Sequence, residues 1–204
     1  MFRPKRFKIA RRLGPAVFDQ TQTERFAMSE ARHKNAAKKD KHKKNISAYN
    51  LALREKQRVR LYYGMTEKQF ATYVKRATEM KGNPVEHLFS QLELRLDNIA
   101  YRAGLAPTHR AARQMVAHGH LTVNGKRLRI PSHQVTVDDV VGIRGGSSGK
   151  TLFTAGAEKR AEHQTPAWLA FDEKKGDWKV ASKPNHDETL SAFNLRSVIE
   201  YYAR

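Results

Sequence analysis

The stretch RLDNIAYRAGLAPTHRAARQMVAHGHLTVNGKRLRI, residues 95–130, decides the fold. It reads as two short amphipathic helices followed by a tight hairpin. On a helical wheel, Leu92, Leu96, Ile99, Ala100 and Ala103 share one apolar face, and Arg95, Asn98 and Arg102 fall together on the polar side. The spacing predicts one helix from Leu92 to Ala103, stopped by Gly104. Thr108 caps the next helix. There Ala111, Ala112, Met115 and Val116 form the apolar face, and Arg110, Arg113, Gln114 and His118 project from the other. Gly119 ends it. Leu121 and Val123 alternate before Asn124–Gly125, the strongest two-residue hairpin signal. Lys126, Arg127, Leu128, Arg129 and Ile130 return with alternating apolar and basic residues. Val135 and Val137 predict a third short strand, Asp138–Asp139 a turn, and residues 140–143 a fourth strand. Residues 92–145 therefore read as a small α+β domain, two helices and a short antiparallel sheet.

Upstream, residues 46–91 read as a mostly helical domain. Ser47 caps a helix with Leu51, Leu53 and Leu61 as anchors and a basic rim of Arg54, Lys56, Arg58 and Arg60. Gly64 interrupts, Thr66 caps a second helix carrying Phe70, Val74 and Ala77, and Gly82–Asn83–Pro84 ends it. Residues 1–45 are poor in periodic apolar positions and read as a basic extension. The run KNAAKKDKHKK, residues 34–44, is expected to be disordered in isolation and to order on a phosphate backbone. Downstream, residues 145–149 read as a flexible break and residues 154–163 as a helix. Trp168, Leu169 and Phe171 form an apolar patch that can pair with a strand at residues 178–180. Residues 193–202 can form a strand or a short helix. The segment 146–204 is expected to pack back on the helical domain.

Charge limits the function classes. The 204-residue chain carries 39 Lys and Arg against 20 Asp and Glu, a formal net charge of +19. Residues 1–50 hold 14 of those cations and 4 of the acids. Such an excess favours a polyanionic partner, nucleic acid before a membrane surface. No apolar run is long enough for a transmembrane helix, and the first residues lack the apolar core of a secretory signal. Without cysteine there are no disulfides, no thiol catalysis and no Cys-ligated zinc. The segment 145–151, GGSSGKT, imitates a phosphate-binding loop, but Arg144 stands where its first glycine belongs. His118 and His120 lack a third ligand at useful spacing. Asp97, Asp138 and Asp139 stand in no catalytic context such as G-x-S-x-G. No cofactor and no metal are expected.

Arginine forks suit phosphate oxygens. Arg95, Arg102, Arg110 and Arg113 present them, and Gln114 and Asn124 can donate to ribose hydroxyls or base edges. Acids look nearly absent from that face, which makes ordinary ion-paired solvation poor. Contacts of this kind suit RNA read by shape and backbone.

The motifs RLDNIAYRAG, RAARQMVAHGHLTVNGK and RIPSHQV resemble the RNA-binding domain family named after ribosomal protein S-four. Outside them, LREKQRVRLYYGMTEKQFATYV (residues 53–74), LELRLDN, PAWLAFD (residues 166–172) and SVIEYYAR are similar to the small-subunit S-four family itself. The resemblance covers residues 50–204. It implies a protein that binds 16S-type ribosomal RNA early in assembly of the 30S body, touches the neighbouring protein S-five, contributes to decoding accuracy and lies near mRNA at its entry. It implies a cytoplasmic, ribosome-bound protein, with an organellar ribosome as the alternative. Carried over by position, Arg95, Arg102, Arg110, Arg113, Gln114, His118, Asn124 and Lys126 form the expected RNA-facing set. The basic rim at Arg54, Lys56, Arg58 and Arg60 and the hairpin residue Arg127 complete the candidates. His109 stands where many members have Arg, which predicts a phosphate contact that weakens above neutral pH. His133 replaces a usual Tyr, and Gly145–Gly146 replaces an acidic residue. The rivals are a free RNA-binding regulator and an RNA-modifying enzyme with the same domain; the enzyme would need a catalytic domain for which the chain has no room.

Overall fold

The computed structural model describes residues 5–37, 47–150, 153, 163–173, 175–185 and 193–203. It divides into two compact units: residues 1–75 with 191–204, and residues 76–190. The fold is α+β.

In the first unit Ser47 does cap a helix, its hydroxyl accepting from the Asn50 amide at 3.3 Å. Helix α3 (Ala48–Tyr62) follows it. Helix α4 (Glu67–Glu79) begins with a reciprocal cap. The Gln69 amide donates to the Thr66 hydroxyl, and the Thr66 amide to the Gln69 side chain, both at 3.4 Å. Phe70 and Val74 recur four apart on α4 and are buried. The tail is a helix, α9 (Leu195–Tyr202), capped by Asn194 and packed on α3. Leu195 and Val198 bury one face of it.

The basic N-terminal extension, poor in periodic apolar positions, still forms helices where it is described. Helix α1 (Arg6–Leu13) buries Ala10 and Leu13 and packs with α3. Two short 3-10 turns, Pro15–Val17 and Asp19–Thr21, bury Val17 and Thr21. Helix α2 (Glu24–Ala37) sets buried Phe26 against Phe7, their rings stacked at 5.6 Å. Few apolar residues are needed because each sits on a helix face against a neighbour. Most of the run at residues 34–44 lies outside the described residues.

In the second unit, the helix expected across Leu92–Ala103 is two helices. Asn83 caps α5 (Pro84–Glu93), its side chain accepting from the Val85 amide, with Pro84 at the first helical position. The chain then breaks at Leu94 and Arg95 before α6 (Leu96–Arg102). The break is held by the segment expected as a third strand. The Leu96 amide donates to His133 O at 2.9 Å, Asp97 N to Pro131 O at 3.0 Å, and Val135 N to Leu94 O at 2.9 Å. Val135, expected in a third strand, bonds to the helix junction, and His133 and Pro131 just before it do the same. Thr108 caps α7 (His109–Ala117), accepting from the Ala111 amide at 3.1 Å.

The sheet is antiparallel, in the order β2-β1-β3-β5-β4. Strands β1 (Leu121–Val123) and β2 (Lys126–Leu128) form the predicted hairpin, with Asn124 and Gly125 at φ 49° and 77°. β3 (Val140–Ile143) pairs with β1. A short helix, α8 (Gly145–Ser148), occupies the expected flexible break. The strand pairing expected after Trp168 forms as β4 (Leu169–Asp172) and β5 (Asp177–Val180), but it extends this sheet through β3. The segment 146–204 is therefore divided between the two units. The core of the second unit lies between α6, α7 and one sheet face, with Leu96, Ile99, Met115, Val116, Leu121, Val141, Trp168 and Trp178 buried together. The helix expected at residues 154–163 lies outside the described residues, apart from His163.

Candidate nucleic-acid interface

Helix α6 is buried along most of its length, from Leu96 to Ala100. Its polar side therefore faces protein, and two carboxylates organise it. Asp97, 5% exposed, accepts a fork from Arg95 (Nε to Oδ1 3.0 Å, Nη2 to Oδ2 2.8 Å) and a second from Arg113 (3.0 and 2.9 Å to Oδ2). Glu93, fully buried, accepts from Arg102 at 2.8 and 2.9 Å and from the Asn98 amide at 2.9 Å. Of the RNA-facing candidates, Arg95 is 1% exposed and Arg102 is tied to Glu93, as is Asn98 from the same expected polar side. The acids that hold these groups come from the end of α5 and from α6 itself, and Arg95 stands before α6, outside the single helix that the wheel assumed. Arg113 keeps about a third of its side chain exposed while Asp97 fixes its fork.

The open face lies on α7. Arg110, Gln114, Ala117 and His118 are exposed at spacings of four, three and one, a single stripe on the helix. His109 lies beside it, its ring stacked on Tyr101 at 3.8 Å. At the end of α7, Gly119 turns the chain at φ 70°. Arg127 reaches over from β2 and donates to the carbonyls of Gly119 and His118, both at 3.0 Å, which satisfies the negative end of the helix. Partial desolvation there, with the charges of Arg129 and Arg144, draws the Arg127 guanidinium below its ordinary value. Lys126 is exposed on the hairpin. Asn124 is exposed too, but its side chain serves the fold: Nδ2 donates to Asp139 Oδ1 at 2.7 Å and Oδ1 accepts from the Val140 amide at 2.9 Å.

Sequence reading missed Arg129, Arg144 and Lys150. The signal was the two-residue period of the strands: Arg127 and Arg129 share a face, and Arg144 alternates with Gly142, whose partner across β1 is Thr122, opposite Arg127. Arg129 and Arg144 act on the charge of Arg127, and Arg144 and Lys150 on His120, so these cations share one neighbourhood at the end of α7.

The basic rim of the first unit is largely spent on internal contacts. Lys56 is buried and donates to Glu67 at 2.7 Å. Arg58 pairs with Glu55 at 2.6 Å, and Arg60 lies 3.4 Å from Glu67 Oε2. Arg54 is half-buried. Exposed cations of this unit lie around α1, at Lys5, Lys8, Arg11 and Arg12, and also on α2 (Arg25, Arg32), α4 (Lys68, Lys75) and α9 (Arg196). Among the described residues no group of three His, Asp or Glu could hold a metal ion, and no helix is long and apolar enough to cross a membrane.

Residues 94–141 match the model of the S4 domain, and residues 2–93 match the ribosomal protein S4/S9 N-terminal domain. A protein of Acetivibrio thermocellus named small ribosomal subunit protein uS4 is 41% identical, over 79% of this chain and 78% of its own length. The protein of that name from Chlorobium limicola is 35% identical over the whole chain and 98% of its own length. Small ribosomal subunit protein uS4c of Oltmannsiellopsis viridis is 36% identical over the same shares.

Proposed function

The chain belongs to the uS4 family of small-ribosomal-subunit proteins, and on that premise we propose that it is a structural, non-catalytic component of the subunit that grips 16S-type ribosomal RNA. The observation that carries this reading is the set of exposed cations of the second unit: Arg110 on α7, with Gln114 and His118 on its stripe, Lys126 and Arg127 on β2, Arg129 just after it, and part-buried Arg144 after β3. Phosphates fit such a surface because arginine forks donate two hydrogen bonds in a plane. Arg113, a third exposed beside them, is held in place by Asp97. Arg95, Arg102 and Asn98 support that face from within. The exposed cations around α1 supply a second contact from the first unit.

Family membership supports the finer reading: early binding at a multi-helix RNA junction that nucleates the 30S body, S-five as a neighbour sharing a role in decoding accuracy, and mRNA nearby at its entry.

The test is the salt dependence of binding by the full chain to small-subunit ribosomal RNA. Arg110→Ala is expected to flatten the slope of log K against log salt by about 0.7–0.9, the contribution of one phosphate contact. Unchanged slope and affinity for Arg110→Ala would remove α7 from the interface. Sucrose-gradient fractions should also place the chain with small subunits at low salt; small subunits sedimenting without it would overturn the ribosomal reading.

A further inference from the structure

The end of α7 holds two imidazoles inside a concentration of positive charge. His118 is the C-cap residue of α7 and is exposed; His120 follows the Gly119 turn and is half-buried. Their rings lie 5.9 Å apart. His120 Nδ1 is 3.0 Å from the Ser147 hydroxyl, and its ring meets buried Phe153 edge-on at 6.1 Å. One ring nitrogen is therefore anchored inward. Four charged or titratable neighbours act on His120: Lys150 beyond α8, His118 from α7, Arg127 from β2 and Arg144 after β3. Arg129 adds to the charge at Arg127. The acids on this sheet face, Asp177 on β5 and Asp172 on β4, lie beyond β1 and β3 from Arg127.

We propose that this corner, made by His118, His120, Arg127, Arg129, Arg144 and Lys150, is a phosphodiester site that takes up a proton together with the RNA backbone. It rests on the RNA-binding reading above and deepens it. In the free chain, burial and then the charges of Lys150, His118, Arg127 and Arg144 hold the His120 imidazole below its ordinary value, which is about 6.5. A phosphate reverses the sign of the local field. The imidazolium then gains an anionic partner and a hydrogen bond, so its pKa is higher in the complex than in the free chain. Affinity must therefore rise as pH falls through the bound pKa, and level off below the free pKa. Above the bound value the His120 imidazole is neutral in both states and contributes no pH dependence.

The experiment is calorimetry of the full chain with small-subunit ribosomal RNA, in buffers of different ionisation enthalpy between about pH 6 and pH 8. The wild-type chain is expected to take up protons on binding, and its affinity to rise by up to about tenfold per pH unit for each proton. The double variant His118→Gln, His120→Gln is expected to lose about one proton of the uptake and, with it, most of the pH dependence of binding. Uptake equal in the two proteins would assign the protons to other histidines and overturn the proposal. Binding without any uptake would overturn it as well and leave the RNA reading standing. Absence of binding at every pH would overturn both. If the double variant does not fold, NMR titration of His120 in the wild-type chain decides: a pKa raised by RNA supports the site, and an unchanged one overturns it.

Discussion

At the scale of single residues, Asp97 sets the arrangement of the candidate interface. One carboxylate, 5% exposed, holds two guanidiniums. Asp97→Ala would take from buried Arg95 the carboxylate that accepts its fork. We expect it to lower unfolding free energy by about 3–5 kcal/mol, read from urea denaturation; a loss under about 1 kcal/mol would show that Arg95 finds water or another partner. Arg113→Ala should cost much less, because Arg95 remains on Asp97. Gly119 is a second sensitive point. Its φ is 70°, and a Cβ there would run into the Arg127 guanidinium. Gly119→Ala is expected to destabilise by at least about 1 kcal/mol and to weaken RNA binding by displacing Arg127; thermal melts and filter binding measure the two effects separately. The wheel put Arg95, Asn98 and Arg102 on one polar side of a single helix, whereas Arg95 stands in the break before α6. It could not say that this side faces protein. The clue stood nearby, since Glu93 and Asp97 flank Arg95 at two residues on either side, and acids so placed compete with RNA for the same forks.

At the scale of elements, hairpin and caps were legible because their signals are local. Asn124–Gly125 needs only two residues in the left-handed region, and Thr108 needs only the next turn of chain. The third strand was not legible. Val135 and Val137 have strand-like alternation, but the Val135 amide bonds to the α5–α6 break, a partner 41 residues earlier in the sequence. Asn83–Pro84 was read as a stop and proved also to be a start, since Pro is accommodated at the first helical position. The tail helix was undecidable from sequence, because its anchors lie far upstream. The Tyr202 hydroxyl donates to Glu67 Oε1 at 2.7 Å, and Lys56 donates to the same oxygen at 2.7 Å. Burial alone would raise the Glu67 carboxyl, but hydrogen bonds from Lys56 and Tyr202, with the charges of Lys56 and Arg60, bring it below its ordinary value. Burial and the bond to Glu67 push the Tyr202 phenol up. A depressed carboxyl contributes stability above its unfolded pKa, and that stability is lost as pH falls through the folded value. Docking of α9 should therefore loosen on acidification below about pH 4, visible in Tyr202 ring resonances. In Tyr202→Phe the helix should already be looser at neutral pH and respond less to acid; an identical acid response would exclude Glu67 as its anchor.

At the scale of the whole molecule, the excess of cations was plain from composition, whereas its division into supporting and exposed charge was not. A net charge of +19 gives salt two opposite effects. Screening relieves self-repulsion, so added salt should raise the melting temperature of the free chain. The same salt should weaken its hold on RNA. Melting and binding measured across one salt series should move in opposite directions; a melting temperature that falls with salt would mean that internal ion pairs dominate. The strand order carries a further consequence, one of timing. β3 is flanked by β1 and β5, and β5 lies more than thirty residues downstream of it. Trp168 and Trp178 complete the apolar core from that late segment. During synthesis, at about 5–20 residues per second, the first three strands wait several seconds for the rest. Over that interval the β3 edge and the wall that receives the tryptophans stay uncovered on the nascent chain, so a translational pause between β3 and β5 prolongs the stage at which this protein is most exposed to aggregation.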